Sequence, residues 1–163
     1  MQTVKPTLIK ASEIDALDGV AKTHFLNPNA SRLQKSLGDL CGLTGLGVHL
    51  MEIAPGQDST EHHVHYFEDE CVYILEGTGT ALTSDRRDDI SAGDFLGYPA
   101  GGDAHSITNT GDIPLRFLVI GQRLDHDVAD YPNKDKRIFR NKGMSWDLTD
   151  IATLTNPRAA QNE

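Results

Sequence analysis

The sequence predicts an all-β sandwich or barrel with a short N-terminal helical leader and an irregular C-terminal tail. Between residues 43 and 122, short runs of β-branched, aromatic and aliphatic residues alternate with Gly, Pro and Asp breaks. The repeat of an amphipathic helix is absent over the same stretch. We therefore divide the chain into a leader at 1–42, a barrel core at 43–122 and a tail at 123–163.

The individual elements follow in chain order. Residues 12–15 place an N-cap before acids in a first turn, which predicts a short helix. Asn27-Pro28-Asn29 predicts a turn or loop. Residues 85–88 (Asp-Arg-Arg-Asp) predict a hairpin tip, and residues 130–133 begin the tail. The runs that predict strands are 46–53, 71–75, 80–83, 89–90 and 115–120.

Composition limits the partners. The formal charge is −9, with 15 Lys+Arg against 24 Asp+Glu, which disfavours nucleic acid and anionic membranes. Two cysteines, Cys41 and Cys71, are too few for a disulfide framework. The chain opens without an apolar signal region and has no run of transmembrane length, so we expect a cytoplasmic protein with reduced thiols.

A histidine pair predicts a metal site. His63 and His65 are separated by one residue, so in a strand both imidazoles project to the same face. Glu70 and His105 can reach that space from neighbouring strands. Three neutral imidazoles and one carboxylate suit a divalent transition metal, and we expect one ion per chain, Zn, Mn, Fe or Ni. By alternation, His62 faces away from the pair.

The spacing of these residues resembles the two signatures of the cupin family. In the first, six residues separate Gly56 from the His63-Val64-His65 triplet, four separate the triplet from Glu70, and six separate Glu70 from Gly77. The second runs from Gly93 through Pro99-Ala100-Gly101 and His105 to Asn109. The resemblance implies a jelly-roll barrel that holds a metal through His63, His65, Glu70 and His105. Each signature has one residue more than is usual before its first histidine, and both extra residues fall in loops.

The resemblance also favours a function. Residues 105–115 resemble the second signature of cupin mannose-6-phosphate isomerases, with a Gly-Asp turn and a Pro-Leu entry to the last strand. Isomerisation of a sugar or sugar phosphate is therefore our leading interpretation. An Fe(II)-dependent dioxygenase and a non-catalytic sugar or metabolite binder are the alternatives. Arg116 and Arg123 are the basic residues nearest in sequence for a phosphate, and any mobile base should lie outside the four ligands.

We also expect a small-molecule pocket and a homodimer. If His105 points into the barrel, then Ile107 and Asn109 point there too, and Tyr98 and Phe95 are candidates for the lining. Sheet edges must be covered, so the leader or the tail should lie over an edge or across a twofold partner.

Overall fold

A computed structural model describes residues 4–158, and strands dominate this part of the chain. No helix within it is long and apolar enough to cross a membrane. Elements α1 to β6 are α1 Ala11–Asp15, β1 Val20–His24, β2 Asn27–Lys35, α2 Leu37–Cys41, β3 Leu46–Ile53, β4 Val64–His65, β5 Glu70–Glu76 and β6 Thr78–Thr83. The remaining strands are β7 Arg86–Ser91, β8 Phe95–Tyr98, β9 His105–Thr108, β10 Leu115–Gln122, β11 His126–Tyr131, β12 Lys136–Asn141 and β13 Asp147–Asp150, with short 3-10 turns at Pro132–Lys134 and Ile151–Thr153.

The strands form three antiparallel sheets. The largest has the order β1-β2-β3-β10-β5-β8, and a three-stranded sheet has the order β7-β6-β9. The third sheet has the order β13-β12-β11-β4. A single bridge between His63 and His105 joins the entry to β4 to the start of β9. The all-β barrel prediction is confirmed.

The main core lies between the first two sheets. Ile53, Ile74, Leu115 and Phe117 are almost fully buried on β3, β5 and β10, and Ile107 faces them from β9. Such positions recur at every second residue, because successive strand side chains point to opposite faces. Each buried aliphatic or aromatic side chain stabilises the fold by about 1.5–3 kcal/mol. This core fixes the strands that carry Glu70 and His105.

The core strands match the sequence prediction closely. β3 has the predicted bounds, and the other apolar runs fall within β5, β6, β7 and β10. The hairpin tip was predicted at 85–88, but the turn lies at Ser84, whose φ is 50°, and Asp85. Arg86 already belongs to β7, because it pairs with Thr83 across the hairpin.

The leader contains more than the predicted helix. The helix is present as α1, but the leader also supplies β1 and β2 to the largest sheet. The turn predicted at Asn27-Pro28-Asn29 is wrong, since β2 begins at Asn27 and the turn lies just before it. β2 reaches the core through β3, where Leu33 pairs with Glu52. The domain bounds themselves remain a prediction.

The prediction of an irregular tail is wrong, since residues after 122 form β11, β12 and β13. β11 also pairs with β4, so that Ala129 lies opposite His65. Ala129, Tyr131 and Ile138 form a small second core, onto which Leu26 packs. The strand signal was hidden because charged residues occupy buried strand positions, where ion pairs compensate them.

Candidate metal centre

Three of the four predicted ligands converge in the barrel. His63, Glu70 and His105 each offer one ligand atom, and these atoms all lie within 4.8 Å of one another. We call these residues the barrel trio. The His63 and His105 ring centroids are 4.6 Å apart, and His105 Nε2 is 3.3 Å from Glu70 Oε1. The two histidines also exchange both backbone hydrogen bonds, at 3.1 and 2.8 Å, which fixes their separation.

The surroundings of His63 keep its imidazole neutral and leave one ring nitrogen for an ion. Its Nδ1 lies 2.9 Å from the carbonyl oxygen of Glu61, so that Nδ1–H can donate and Nε2 is left to bind an ion. Burial, and then the neighbouring charge of His105, lowers the pKa of His63 to about 3. The imidazole is therefore neutral at pH 7, as metal coordination requires.

Glu70 supplies the negative charge of the barrel trio. Burial alone would raise the pKa of its carboxyl group, but the hydrogen bond from His105 and the charges of the nearby histidines lower it to about 2. Glu70 is thus ionised at neutral pH. An ionised carboxylate beside neutral imidazole is a donor set that fits a divalent transition metal.

His65 lies beside the barrel trio but is not part of its compact group. Its ring centroid is 4.9 Å from that of His63, and its Nδ1 is 2.8 Å from Asp127 Oδ2. Although burial would raise the pKa of Asp127, hydrogen bonds from His65 and Arg140 lower it to about 2. The carboxylate therefore accepts the Nδ1–H of His65, and Nε2 remains for an ion. His65 as the fourth ligand remains a prediction.

A second group of ligand-type residues contains its own cation. His65, Glu68 and Asp127 bring their ligand atoms within 4.8 Å of one another, but Arg140 Nη2 donates to both carboxylates. We call these four residues the Arg140 cluster. Asp127 is 1% exposed, so its charge depends on this pairing. Sequence reasoning missed Asp127 and Arg140, because no local pattern places β11 and β12 beside His65.

A cavity of about 120 Å³ opens onto the barrel trio. Tyr98 and Ile107 line it as expected, and the Tyr98 ring stacks on that of His105 with centroids 3.5 Å apart. Phe95 is 66% exposed, so its proposed place in the lining is wrong. Asn109 is buried, but its amide donates to the carbonyls of Ile53, at the end of β3, and of Ile113, which gives it a structural role.

The arginine that lines the cavity is not one of the two that lie nearest to the site in sequence. Arg116 pairs with Glu76 at the surface, and Arg123 pairs with Asp39 beside a different, wider groove. Arg32 of β2 lines the cavity instead. It was missed because the leader was not expected to contribute a strand to the barrel.

His62 and Cys71 have separate environments. His62 is buried rather than solvated, and its Nδ1 lies 3.2 Å from the hydroxyl of Ser106, which lines the cavity. Burial, and then the charge of His105, lowers the pKa of His62. Cys71 pairs with Gly97 on β8, and burial followed by the charge of Glu70 raises its pKa. Neither residue belongs to the barrel trio.

Known proteins with similar sequences and structures have the same barrel fold. The sequence profile of the cupin domain matches residues 49–121. The chain is 50% identical to a solved protein from Acidithiobacillus ferrooxidans that is named as a candidate sugar phosphate isomerase, with 91% of this chain and 95% of that one covered and a TM-score of 0.89. A cupin-superfamily sugar phosphate isomerase from Silicibacter pomeroyi is 28% identical, over 86% of this chain and 94% of that one, with a TM-score of 0.78.

A third relative is named for binding a ligand and not for an isomerisation. The oxalate-binding protein of Thermotoga maritima is 39% identical over 70 residues, which are 43% of this chain and 56% of that protein. The profile match spans the strands that carry Glu70 and His105, and the likeness to the Acidithiobacillus structure extends over nearly the whole chain. With a jelly-roll barrel and a candidate metal trio inside it, this chain belongs to the cupin superfamily.

Proposed function

We propose that this cupin is a metal-dependent isomerase of a sugar or sugar phosphate. The observation that carries the proposal is the barrel trio, an ionised carboxylate and two histidines that converge on a cavity. One divalent ion, Zn, Mn, Fe or Ni, would be held by His63, Glu70 and His105, with His65 as the fourth ligand. The likeness to two solved proteins named for sugar phosphate isomerisation supports this choice of reaction.

The chemistry divides between the ion and the protein. A bound divalent ion would polarise the carbonyl of an α-hydroxy carbonyl compound. The cavity wall would hold the substrate oxygens and keep bulk water away from the carbon that loses its proton. Glu70 is a weak base, because its pKa is already lowered to about 2.

We assign the base to the His62–Ser106 pair. Ser106 lines the cavity, and its hydroxyl is 3.2 Å from His62 Nδ1. His62 is neutral at pH 7, because burial lowers its pKa. The imidazole could therefore accept a proton from the substrate through the Ser106 hydroxyl.

Proton exchange with solvent tests the reaction. Metal-loaded and metal-stripped protein are incubated in deuterium oxide with a panel of pentose and hexose phosphates and free sugars. We expect deuterium at the carbon beside the carbonyl in the loaded sample alone, with about 100-fold slower exchange in His62→Gln. His126→Gln, which changes an exposed histidine, is the control. Oxygen uptake without exchange would instead indicate the dioxygenase.

A binding function is the second candidate. The cavity of about 120 Å³ is small, and the chain resembles an oxalate-binding protein over part of its length. Tight binding of a small oxygen-rich ligand, without exchange or oxygen uptake, would favour a non-catalytic binder.

We further propose that the protein acts as a cytoplasmic homodimer on a small molecule, not on nucleic acid or membranes. The charge of −9 and the sheet edges motivate this proposal. Sedimentation at micromolar concentration tests the assembly, and a monomer would contradict it.

A further inference from the structure

Arg32 is a largely buried cation without an acidic partner. Ala30, Arg32 and Gln34 share one face of β2, and Arg32 lines the cavity of the barrel trio. Among residues 4–158, no carboxylate lies within 4.0 Å of its guanidinium, whose Nη1 donates to the carbonyl of Ser59 at 3.1 Å. Its Nε is buried and has no partner there. A guanidinium that remains charged needs acceptors for its donors, so this arrangement costs free energy unless a ligand provides them.

Tyr98 provides a second buried donor in the same cavity. Its hydroxyl group also lacks a partner within the described part of the chain. The stacking of the Tyr98 ring on His105 holds the side chain in place. At neutral pH a phenol hydroxyl carries its proton and donates a hydrogen bond. Arg32 and Tyr98 thus line one cavity, and each has a buried donor without a partner among the described residues.

The charge of the cavity favours an anion. Arg32 and Glu70 are the charged side chains that line it, and their charges cancel. A divalent ion held by the barrel trio would therefore add two positive charges that no lining residue compensates. An incoming dianion would restore neutrality.

The cavity volume limits how much of a ligand enters. At about 120 Å³ it is smaller than the roughly 300–1,000 Å³ of ordinary small-molecule sites. A second cavity of about 150 Å³ shares the lining residues Glu70 and Val119 with it. The volume of the cavity beside the barrel trio therefore favours a compact anionic group over a large one.

From these observations we propose that Arg32 and Tyr98 form a subsite for the anionic group of the ligand, a phosphate or a carboxylate, beside the metal centre. Arg32 would bind two oxygens of the group through its planar fork, and Tyr98 would donate to an oxygen. The subsite rests on the proposed metal centre and narrows its ligands to compact oxyanions or molecules that end in one.

Calorimetric titration of the full chain tests the subsite. Protein loaded with manganese or zinc, freed of excess ion, is titrated with oxalate and with inorganic phosphate, and its retained metal is measured afterwards. Oxamide is the neutral counterpart of oxalate. We expect both anions to bind and oxamide to bind at least about 10-fold more weakly, because it lacks the charge that Arg32 recognises.

Substitutions then assign the binding to residues. We expect Arg32→Met to weaken both anions about 10- to 100-fold and Tyr98→Phe about 3- to 10-fold. Arg32→Lys keeps the charge but loses the planar fork, so its loss should be intermediate. Arg116→Met is the matched control, because Arg116 pairs with Glu76 outside the cavity. If Arg32→Met does not fold, the anion affinities of Arg32→Lys and Tyr98→Phe decide whether the subsite exists.

The outcomes separate this proposal from the isomerase. Anion affinity in folded Arg32 and Tyr98 variants equal to that of the wild type, or oxamide binding as tight as oxalate, would overturn the subsite even if proton exchange occurs. Arg32-dependent binding without exchange would support the subsite and refute the isomerase. Displacement of oxalate by pentose phosphates would identify a phosphate ester as the group bound, and displacement by 2-hydroxy acids would identify a carboxylate.

Discussion

The barrel trio and the Arg140 cluster contain the same kinds of ligand atom. They differ in whether an arginine bonds their carboxylates directly. In the trio, Glu70 is surrounded by histidines and no arginine or lysine pairs with it in the described residues. In the cluster, Arg140 already bonds both carboxylates. A guanidinium bonds the carboxylates of the cluster directly, whereas Arg32, which lines the cavity of the trio, makes no ion pair with Glu70 within the described residues. Proximity of ligand-type residues therefore identifies a metal site only after nearby arginines are counted.

Removing the trio histidines should have the largest effect. We expect His63→Ala combined with His105→Ala to abolish binding of the single divalent ion, because the two ligands that remain, Glu70 and His65, are too few to hold it. Metal content after purification and dialysis measures the loss. His126→Ala, an exposed histidine of β11, should keep the ion. Stoichiometric metal in the folded double variant would place the site elsewhere.

Removing Arg140 should instead cost stability. Arg140→Met leaves Glu68 and Asp127 buried as uncompensated neighbouring charges, and we expect a loss of about 3 kcal/mol in the free energy of unfolding. Urea denaturation measures this loss. The control, Lys142→Met, breaks an exposed pair with Asp125 and should change stability by less than about 1 kcal/mol. Equal effects of the two substitutions would contradict the structural role of Arg140.

Asp127 joins the two regions, because it orients His65. We expect Asp127→Asn to weaken metal binding by about 10-fold, since the neutral amide holds the His65 ring less firmly. Competition with a chelator measures the affinity, and Asp125→Asn is the exposed control. An unchanged affinity in folded Asp127→Asn would argue against His65 as the fourth ligand.

The contact between the barrel and the C-terminal sheet should make the stability of the fold depend on pH. Half-buried His24 packs edge-on against Tyr131, and burial, followed by the charge of Arg32, lowers its pKa from 6.5 to about 4. The folded state thus keeps His24 neutral while the unfolded chain takes up a proton below pH 6.5. Stability from this group is present above pH 6.5 and is lost as the pH falls toward 4.

The slope of stability with pH tests this assignment on metal-free protein. Between pH 6.5 and 4, His24 should contribute no more than about 1.4 kcal/mol per pH unit, the limit for one proton. His24→Gln should flatten the slope, whereas His126→Gln should leave it unchanged. Equal slopes for wild type and His24→Gln would show that the proton is taken up elsewhere.

The sequence by itself determined the barrel strands and three members of one site. Alternation and turn residues are local signals, so β3 and β10 could be predicted from their own residues. The spacing of His63, Glu70 and His105 fixed their convergence once the strands paired, and the extra loop residues did not disturb it.

Only the tertiary structure decided the rest. β11 and β12 bury Asp127 and Arg140, charged residues that local patterns assign to solvent, and their burial becomes acceptable only when each finds its partner. Arg32 enters the cavity because β2 joins the main sheet, through a register that its own sequence does not specify. Partners far apart in sequence are selected by packing and charge compensation, which exist only in the folded chain.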